Sequence, residues 1–195
     1  MTLNPFFLPP IPDELWRIED DLTFIKYDND DDQGFNCFTS TQCMAFNQRI
    51  TPLSVKDHLE NGQSIVWKGL ISLGTFDKAR REIEWRERLH HKSIWAYKIE
   101  TAGLQWESMV WNQQQNISLR YLTDGSADIM IFKASELIQA LGLSGNIKRE
   151  AELGAVDEWL ALEWVPKSMI LERWQISDDS GRRLQGNQGY ENLRT

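Results

Sequence analysis

Short apolar segments, each about the length of a β-strand, recur along most of the chain and are separated by turn-forming residues. One stretch, from Phe76 to about Leu89, has the length and periodicity of a longer helix, and Thr75 in front of it is a suitable cap. Strands with a few segregated helices favour an α+β fold with a largely antiparallel sheet, which we predict for a single domain over residues 13–176. The expected strands are residues 15–18, 22–27, 64–73, 93–99, 117–122, 129–132, 158–165 and 169–176.

Two shorter helices are predicted from their end signals. Residues 51–62 begin with Thr-Pro and end with glycine, which is typical of a short helix. Ser135 is expected to cap a second helix that ends at Gly142. Residues 144–157 carry neither pattern and are expected to form a loop before the next strand.

Both ends of the chain are expected to lie outside the domain. Residues 1–12 contain four prolines and predict an extended arm, and residues 177–195 are polar and predict a fraying tail. The N-terminus lacks the basic and apolar regions of a signal peptide, so we expect a cytoplasmic protein. Cys37 and Cys43 have no second pair of ligands that would complete a zinc site, which favours free thiols and no bound metal.

Charge and motifs exclude several functions. The formal net charge of −8 disfavours a nucleic-acid scaffold, although one local basic cleft remains compatible with it. The chain lacks the glycine motifs of dinucleotide-binding Rossmann folds and of P-loops, and the G-x-S-x-G motif of serine hydrolases.

His58, His90 and His91 lie on or at the ends of predicted helices, where a structural role is expected. The nine tryptophans either build a large core or line a cleft.

Three segments remain that combine a strand with a polar side chain. Arg17 lies in the first predicted strand, Ser72 ends the strand before the longest helix, and Glu158 begins an apolar strand that leads to a Val-Pro turn. The order and context of these segments resemble ADP-ribosyltransferases of the Arg-Ser-Glu type, and also uncharacterised fungal domains with the same layout. The resemblance covers about residues 13–176.

The resemblance implies a fold of split antiparallel β-sheets and a reaction that uses NAD as co-substrate, without a metal. In such a site Arg17 reaches the phosphates or ribose of NAD, and Ser72 orients the glutamate or the ribose. Glu158 stabilises positive charge on the ribose as the bond to nicotinamide breaks. The acceptor of ADP-ribose is expected to be a protein rather than a nucleic acid, or water in a simple NAD glycohydrolase. The other residues expected to contact NAD are Thr75, Phe76 and Trp67.

Two alternatives stay open at this stage. Glu163 is an alternative catalytic carboxylate, but the odd spacing from Glu158 places the two on opposite faces of one strand. The second alternative is a catalytically inactive module that keeps the fold and binds a protein, because the serine motif is degenerate at Ser72-Leu73-Gly74. Val156 also stands where arginine-modifying members of the family carry a second glutamate, which disfavours arginine as acceptor.

Overall fold

The computed structural model describes residues 9–23, 25–28, 34–36, 50–61, 69–126 and 128–184. Over these residues the protein is an α+β fold with a large antiparallel sheet and a few helices, as the sequence predicts. The strands are β1 (Glu14–Glu19), β2 (Tyr27–Asp28), β3 (Gly34–Asn36), β4 (Leu70–Gly74), β5 (Trp95–Glu100), β6 (Gln105–Asn112), β7 (Ile117–Thr123), β8 (Ile131–Lys133), β9 (Glu158–Leu162), β10 (Trp164–Pro166) and β11 (Ile170–Gln175). The helices are α1 (Pro52–Asn61), α2 (Phe76–Arg88), α3 (Ala134–Ala140), α4 (Arg149–Gly154) and a 3₁₀ turn at Lys167–Met169.

The large sheet consists of two groups of strands that meet at a narrow joint. Its described strand order is β11-β5-β1-β4-β9-β8-β7-β6, and β10-β3-β2 form a second, smaller sheet. Along its length β1 pairs with β5, and β4 pairs in the same way with β9. Between β1 and β4, the described residues form a single register pair, Trp16 with Gly74. The two groups therefore separate beyond this pair, and a cleft opens between them.

Helix α2 covers the joint and forms one wall of that cleft. Its buried residues Ala79 and Ile83 lie one turn apart and pack against Trp16 and Ile18 of β1, together with Ile94. Thr75 caps the helix as predicted, because its hydroxyl oxygen accepts a hydrogen bond from the Lys78 amide. With the apolar stripe fixed on the sheet, the neighbouring face of α2 is turned toward the cleft.

The rest of the core lies on both faces of the β4–β9 pair. Leu70, Leu160 and Leu162 pack with α3 on one face, whereas Ile71 and Ala161 pack with β1, β5 and the small sheet on the other. This alternation follows from the period of two along each strand. Ser72 and Glu158 belong to the face that carries the leucines, so they lie at the border between core and cleft.

Several local predictions are wrong for identifiable reasons. Residues 20–23 turn instead of continuing into the strand predicted from residue 22, because the Asp20 carboxylate accepts the amides of Leu22 and Thr23. The strand predicted over residues 158–165 is broken at Glu163, whose φ of 63° lies in the left-handed region. Helix α3 follows β8 directly with Lys133 at its N-cap, so Ser135 lies inside its first turn and does not cap it.

The predictions for loops and ends also need correction. The loop predicted over residues 144–157 contains α4, and strands β3 and β6 were not predicted. Ser177 forms a bridge with Arg183, so the predicted fraying does not begin at residue 177. Within the predicted arm, the Pro9 carbonyl accepts a hydrogen bond from the indole of Trp106. Residues 1–8 and 185–195, the two cysteines and Trp67 lie outside the described residues.

Among the described helices, none has the length and apolar character needed to cross a membrane.

Candidate functional site

A cleft of about 660 Å³ opens where β1 and β4 separate, between α1 and α2. Its volume lies within the range of about 300–1,000 Å³ that is usual for small-molecule sites. Arg17, Ser72 and Glu158 all line it, so the structure brings together the three residues singled out from the sequence. Among the residues that the structure describes, Glu163 is not part of this lining and lies at the corner between β9 and β10.

Strand register places Ser72 beside Glu158. Ser72 lies opposite Leu160 on the neighbouring strand, and Glu158 is two residues before Leu160 on the same face. This diagonal position is within reach of a long side chain. The Ser72 hydroxyl donates a hydrogen bond to Glu158 Oε1 at 3.0 Å.

Lys78 supplies a positive charge to the same carboxylate. It lies in the first turn of α2, and its Nζ is 3.3 Å from Glu158 Oε1. The side chain reaches this position by passing over Gly74, where an added Cβ would lie 2.7 Å from Lys78 Cδ. Glycine at this position therefore leaves room for the lysine stem.

Replacing Gly74 by alanine is expected to displace Lys78 and lower the free energy of unfolding by about 1–3 kcal/mol, the usual cost of forcing a methyl group into a packed site. Urea denaturation measures the change, with an unaltered m-value as evidence that two-state unfolding is kept. Gly103→Ala is the matched control, because no described atom lies within 4 Å of a Cβ added there. Equal stability of the two variants would contradict the close approach at Gly74.

His58 completes a hydrogen-bonded chain that the sequence did not indicate. Its Nε2 lies 2.8 Å from the Ser72 oxygen, and the residue is 5% exposed. Because the single Ser72 proton points at Glu158, His58 Nε2 must carry its own proton and donate to Ser72. Burial, together with the charges of Lys78 and Arg17, lowers the pKa of His58 to about 4, so the ring is neutral at neutral pH.

Arg17 lies in the floor of the cleft and ties three segments together. Its Nη1 donates to the Ser72 carbonyl at 3.0 Å, and its Nη2 donates to the Ile25 carbonyl at 2.5 Å. The guanidinium lies over the Phe35 ring, 4.9 Å from its centre. These contacts hold β4, the residues after the 20–23 turn and the small sheet around one buried cation.

The other described residues that were predicted to contact a cofactor, Thr75 and Phe76, lie apart from this centre. Thr75 caps α2, and its amide donates to the Asp157 carbonyl, so it serves the backbone. Phe76 packs edge-on against Trp16, with ring centres 5.7 Å apart, and is not among the described residues that line the cleft. Trp67 belongs to the part of the chain that is not described.

A second polar cluster lies at the far end of the cleft. Asp20 is buried and pairs with Arg86 and with His91 Nδ1, and Arg86 also contacts Glu82 at 2.5 Å. Burial alone would raise the pKa of Asp20, but the His91 hydrogen bond and the Arg86 charge outweigh it and lower the pKa. Arg86 Nη1 also donates to the Thr23 hydroxyl at 3.2 Å. This cluster therefore fastens the 20–23 turn to α2.

Sequence reasoning missed His58 and Lys78 as members of the site. His58 lies three residues after Val55, and both are buried on the same side of α1. A histidine on an apolar helix face was thus the available signal for the first of them. Lys78 had no comparable signal, because its partner lies on a strand 80 residues away in sequence.

No protein-family model matches the chain, and no curated protein matches it significantly.

Proposed function

We propose that this cleft binds NAD and that Glu158 promotes cleavage of the bond between nicotinamide and ribose. The observation that carries the proposal is the carboxylate itself. Glu158 lines the cleft and is held from two sides, by the Ser72 hydroxyl at 3.0 Å and by Lys78 Nζ at 3.3 Å. A carboxylate fixed in this way is suited to stabilise positive charge on a sugar without having to reorient.

The reaction is a glycosyl transfer. The C1–N bond breaks and its electron pair leaves with nicotinamide, which becomes neutral, while positive charge develops on the ribose. The carboxylate of Glu158 stabilises that charge and accepts a hydrogen bond from a ribose hydroxyl. Water, or a nucleophile on a protein acceptor, then bonds to C1 and releases one proton. The products are nicotinamide and either ADP-ribose or an ADP-ribosylated acceptor.

The surrounding residues support Glu158 in this role. His58 donates to Ser72 and Ser72 donates to Glu158, so the two act as positioning residues that fix the carboxylate. The positive charge of Lys78 lies beside Glu158 and attracts an anionic ligand into the cleft. Arg17 adds a further positive charge in the floor, while its Nη atoms hold the backbone on both sides.

The fold is part of the same proposal. Two groups of strands that meet at one register pair, with Arg17, Ser72 and Glu158 on β1, β4 and β9, are compatible with the split sheets of an ADP-ribosyltransferase-like domain. Val156 in place of a second glutamate favours water or a non-arginine protein side chain as acceptor.

Incubating the full chain with NAD labelled in the nicotinamide ring tests the activity. We expect time-dependent release of free nicotinamide, separated by chromatography and proportional to protein concentration. Mass spectrometry of the protein fraction shows whether ADP-ribose is transferred or hydrolysed. No release above the protein-free rate, with or without a cell extract as a source of acceptor, would contradict the proposal.

A second candidate function is a catalytically silent module that binds a protein through this face. Two cations of the cleft already have partners within the chain, which favours this alternative. Arg17 donates to two backbone carbonyls, and Lys78 pairs with Glu158. A protein that neither binds ADP-ribose nor releases nicotinamide from NAD would support this alternative.

A further inference from the structure

The wall of the cleft formed by α2 presents three side chains in a row. Lys78, Arg81 and Trp85 all line the cleft, at positions i, i+3 and i+7 of the helix. Residues at this spacing lie on one face, and seven residues of α-helix rise about 10 Å. The row therefore leads from the Glu158 carboxylate, beside Lys78, to an aromatic ring two turns away.

The ring at the far end is exposed to the cleft. Trp85 is 48% exposed, and its indole packs edge-to-face with His91, with ring centres 5.4 Å apart. Leu22 also lines the cleft and is 67% exposed. The link from Arg86 to Thr23 holds the Leu22 turn beside the end of α2. Trp85 and Leu22 thus form an apolar surface at this end of the cleft. The buried ion pair between Asp20 and Arg86 holds this surface in place.

The middle of the row carries a cation that can change partners. The Arg81 side chain is 58% exposed and pairs with the partly exposed Asp157 at 2.7 Å. Ion pairs of this exposure contribute little to stability, so an anionic ligand can replace the carboxylate. Arg86 differs, since its side chain is 12% exposed and lies between Asp20 and Glu82. Arg81 is therefore the arginine of this wall that is suited to a phosphate, which its guanidinium can bind with two donors.

We propose that Trp85 and Leu22 form a nucleobase subsite, with Arg81 binding the diphosphate of a dinucleotide that extends along α2 to Glu158. This inference rests on the proposed function and adds the orientation of the ligand to it. The reacting ribose lies beside Glu158, the diphosphate lies over the middle of the helix, and the adenine ring stacks on Trp85. A diphosphate that joins two riboses has a length suited to the two turns between the ends of the row.

Isothermal titration of the full chain with ADP, ADP-ribose and ribose 5-phosphate tests this orientation. None of these ligands carries nicotinamide, so binding is measured without turnover. We expect Trp85→Ala to weaken the binding of ADP and of ADP-ribose about tenfold or more, because the base stack is lost. The affinity for ribose 5-phosphate, which has no base, should not change. Leu89→Ala, an exposed apolar residue one turn further along, is the matched control and should bind as the wild type does.

A second pair of variants tests the diphosphate. Arg81→Gln is expected to weaken the binding of ADP about tenfold, because the guanidinium that exchanges Asp157 for the diphosphate is lost. Arg80→Gln is the control, since Arg80 lies on the same helix outside the described cleft lining and pairs with Asp77. The inference is overturned if the wild type does not bind ADP, or if each variant and its control have equal affinities.

The titrations separate this inference from the proposed reaction. Binding of ADP that depends on Trp85, in a protein that releases no nicotinamide, keeps the subsite and removes the catalytic proposal. Nicotinamide release with the same KM in wild type and Trp85→Ala keeps the reaction and removes the subsite.

Discussion

Replacing Glu158 by glutamine is expected to lower kcat for nicotinamide release about 10²–10³-fold, the usual cost of removing one group that stabilises transition-state charge. The amide has nearly the same size and still accepts a hydrogen bond from Ser72, so the cleft keeps its shape. It carries no charge, however, and cannot stabilise the positive ribose. We therefore expect kcat to fall while the Kd for ADP-ribose, measured by titration, stays within a few-fold of the wild type.

Two further glutamine variants make this result specific. Glu100→Gln changes an exposed carboxylate at the far end of β5 and should leave kcat unchanged. Glu163→Gln changes the buried carboxylate at the β9–β10 corner and should leave the chemical step unchanged, although it can lower stability. If Glu163→Gln lowers kcat and Glu158→Gln does not, the catalytic carboxylate is assigned to the wrong residue. Thermal unfolding curves identify any variant that has lost its fold.

The elements that carry the site were predicted from local sequence signals. Strand β1 around Arg17, the cap at Thr75 and the start of α2 each depend on a few neighbouring residues, and the structure confirms them. Strand β9 was predicted too, but its end was not. Glu163 adopts a left-handed backbone conformation, which residues other than glycine seldom adopt. Nothing in its local sequence indicates this conformation.

The contacts within the site depend on pairings that local patterns do not contain. Ser72 meets Glu158 because β4 pairs with β9 across 86 residues of sequence, and one register fixes the meeting. A shift of that register by one residue would turn Glu158 to the opposite face. His58 joins them from a helix that packs over the same face. These positions follow from tertiary packing, which also explains why Lys78 was missed.

Strand β6 and helix α4, which were not predicted, have weak local signals for physical reasons. Most residues of β6 are exposed or half-buried, so it lacks the strict apolar alternation of a strand that covers a core. Helix α4 has six residues, none of them fully buried, which is too short to show helical periodicity. Strand β6 lies at the edge of the large sheet, away from Ser72 and Glu158, whereas Gly154 at the end of α4 lines the cleft. The choice of Ser72 and Glu158 depended on β4 and β9, so missing these two elements did not affect it.

His58 is expected to make the protein less stable as the pH falls from about 6.5 to about 4. Its pKa in the folded state is lowered from 6.5 to about 4, chiefly by burial and then by the charges of Lys78 and Arg17, with Asp57 opposing. Between these pH values the unfolded chain binds a proton at this histidine and the folded protein does not. Proton uptake therefore favours unfolding, by about 3 kcal/mol over the whole window. Above pH 6.5 the contribution of His58 is constant.

Comparing the wild type with His58→Gln isolates this contribution, because the carboxylates that titrate in the same window are common to both proteins. Glutamine can donate a hydrogen bond to Ser72 but does not titrate. We expect the variant to be the less stable protein at pH 7 and to gain about 3 kcal/mol relative to the wild type by pH 4, measured by urea denaturation at each pH. His90→Asn is the matched control, since His90 is exposed and has a positive φ that asparagine accepts. A stability difference between wild type and His58→Gln that does not change with pH would mean that His58 is not held neutral against Ser72.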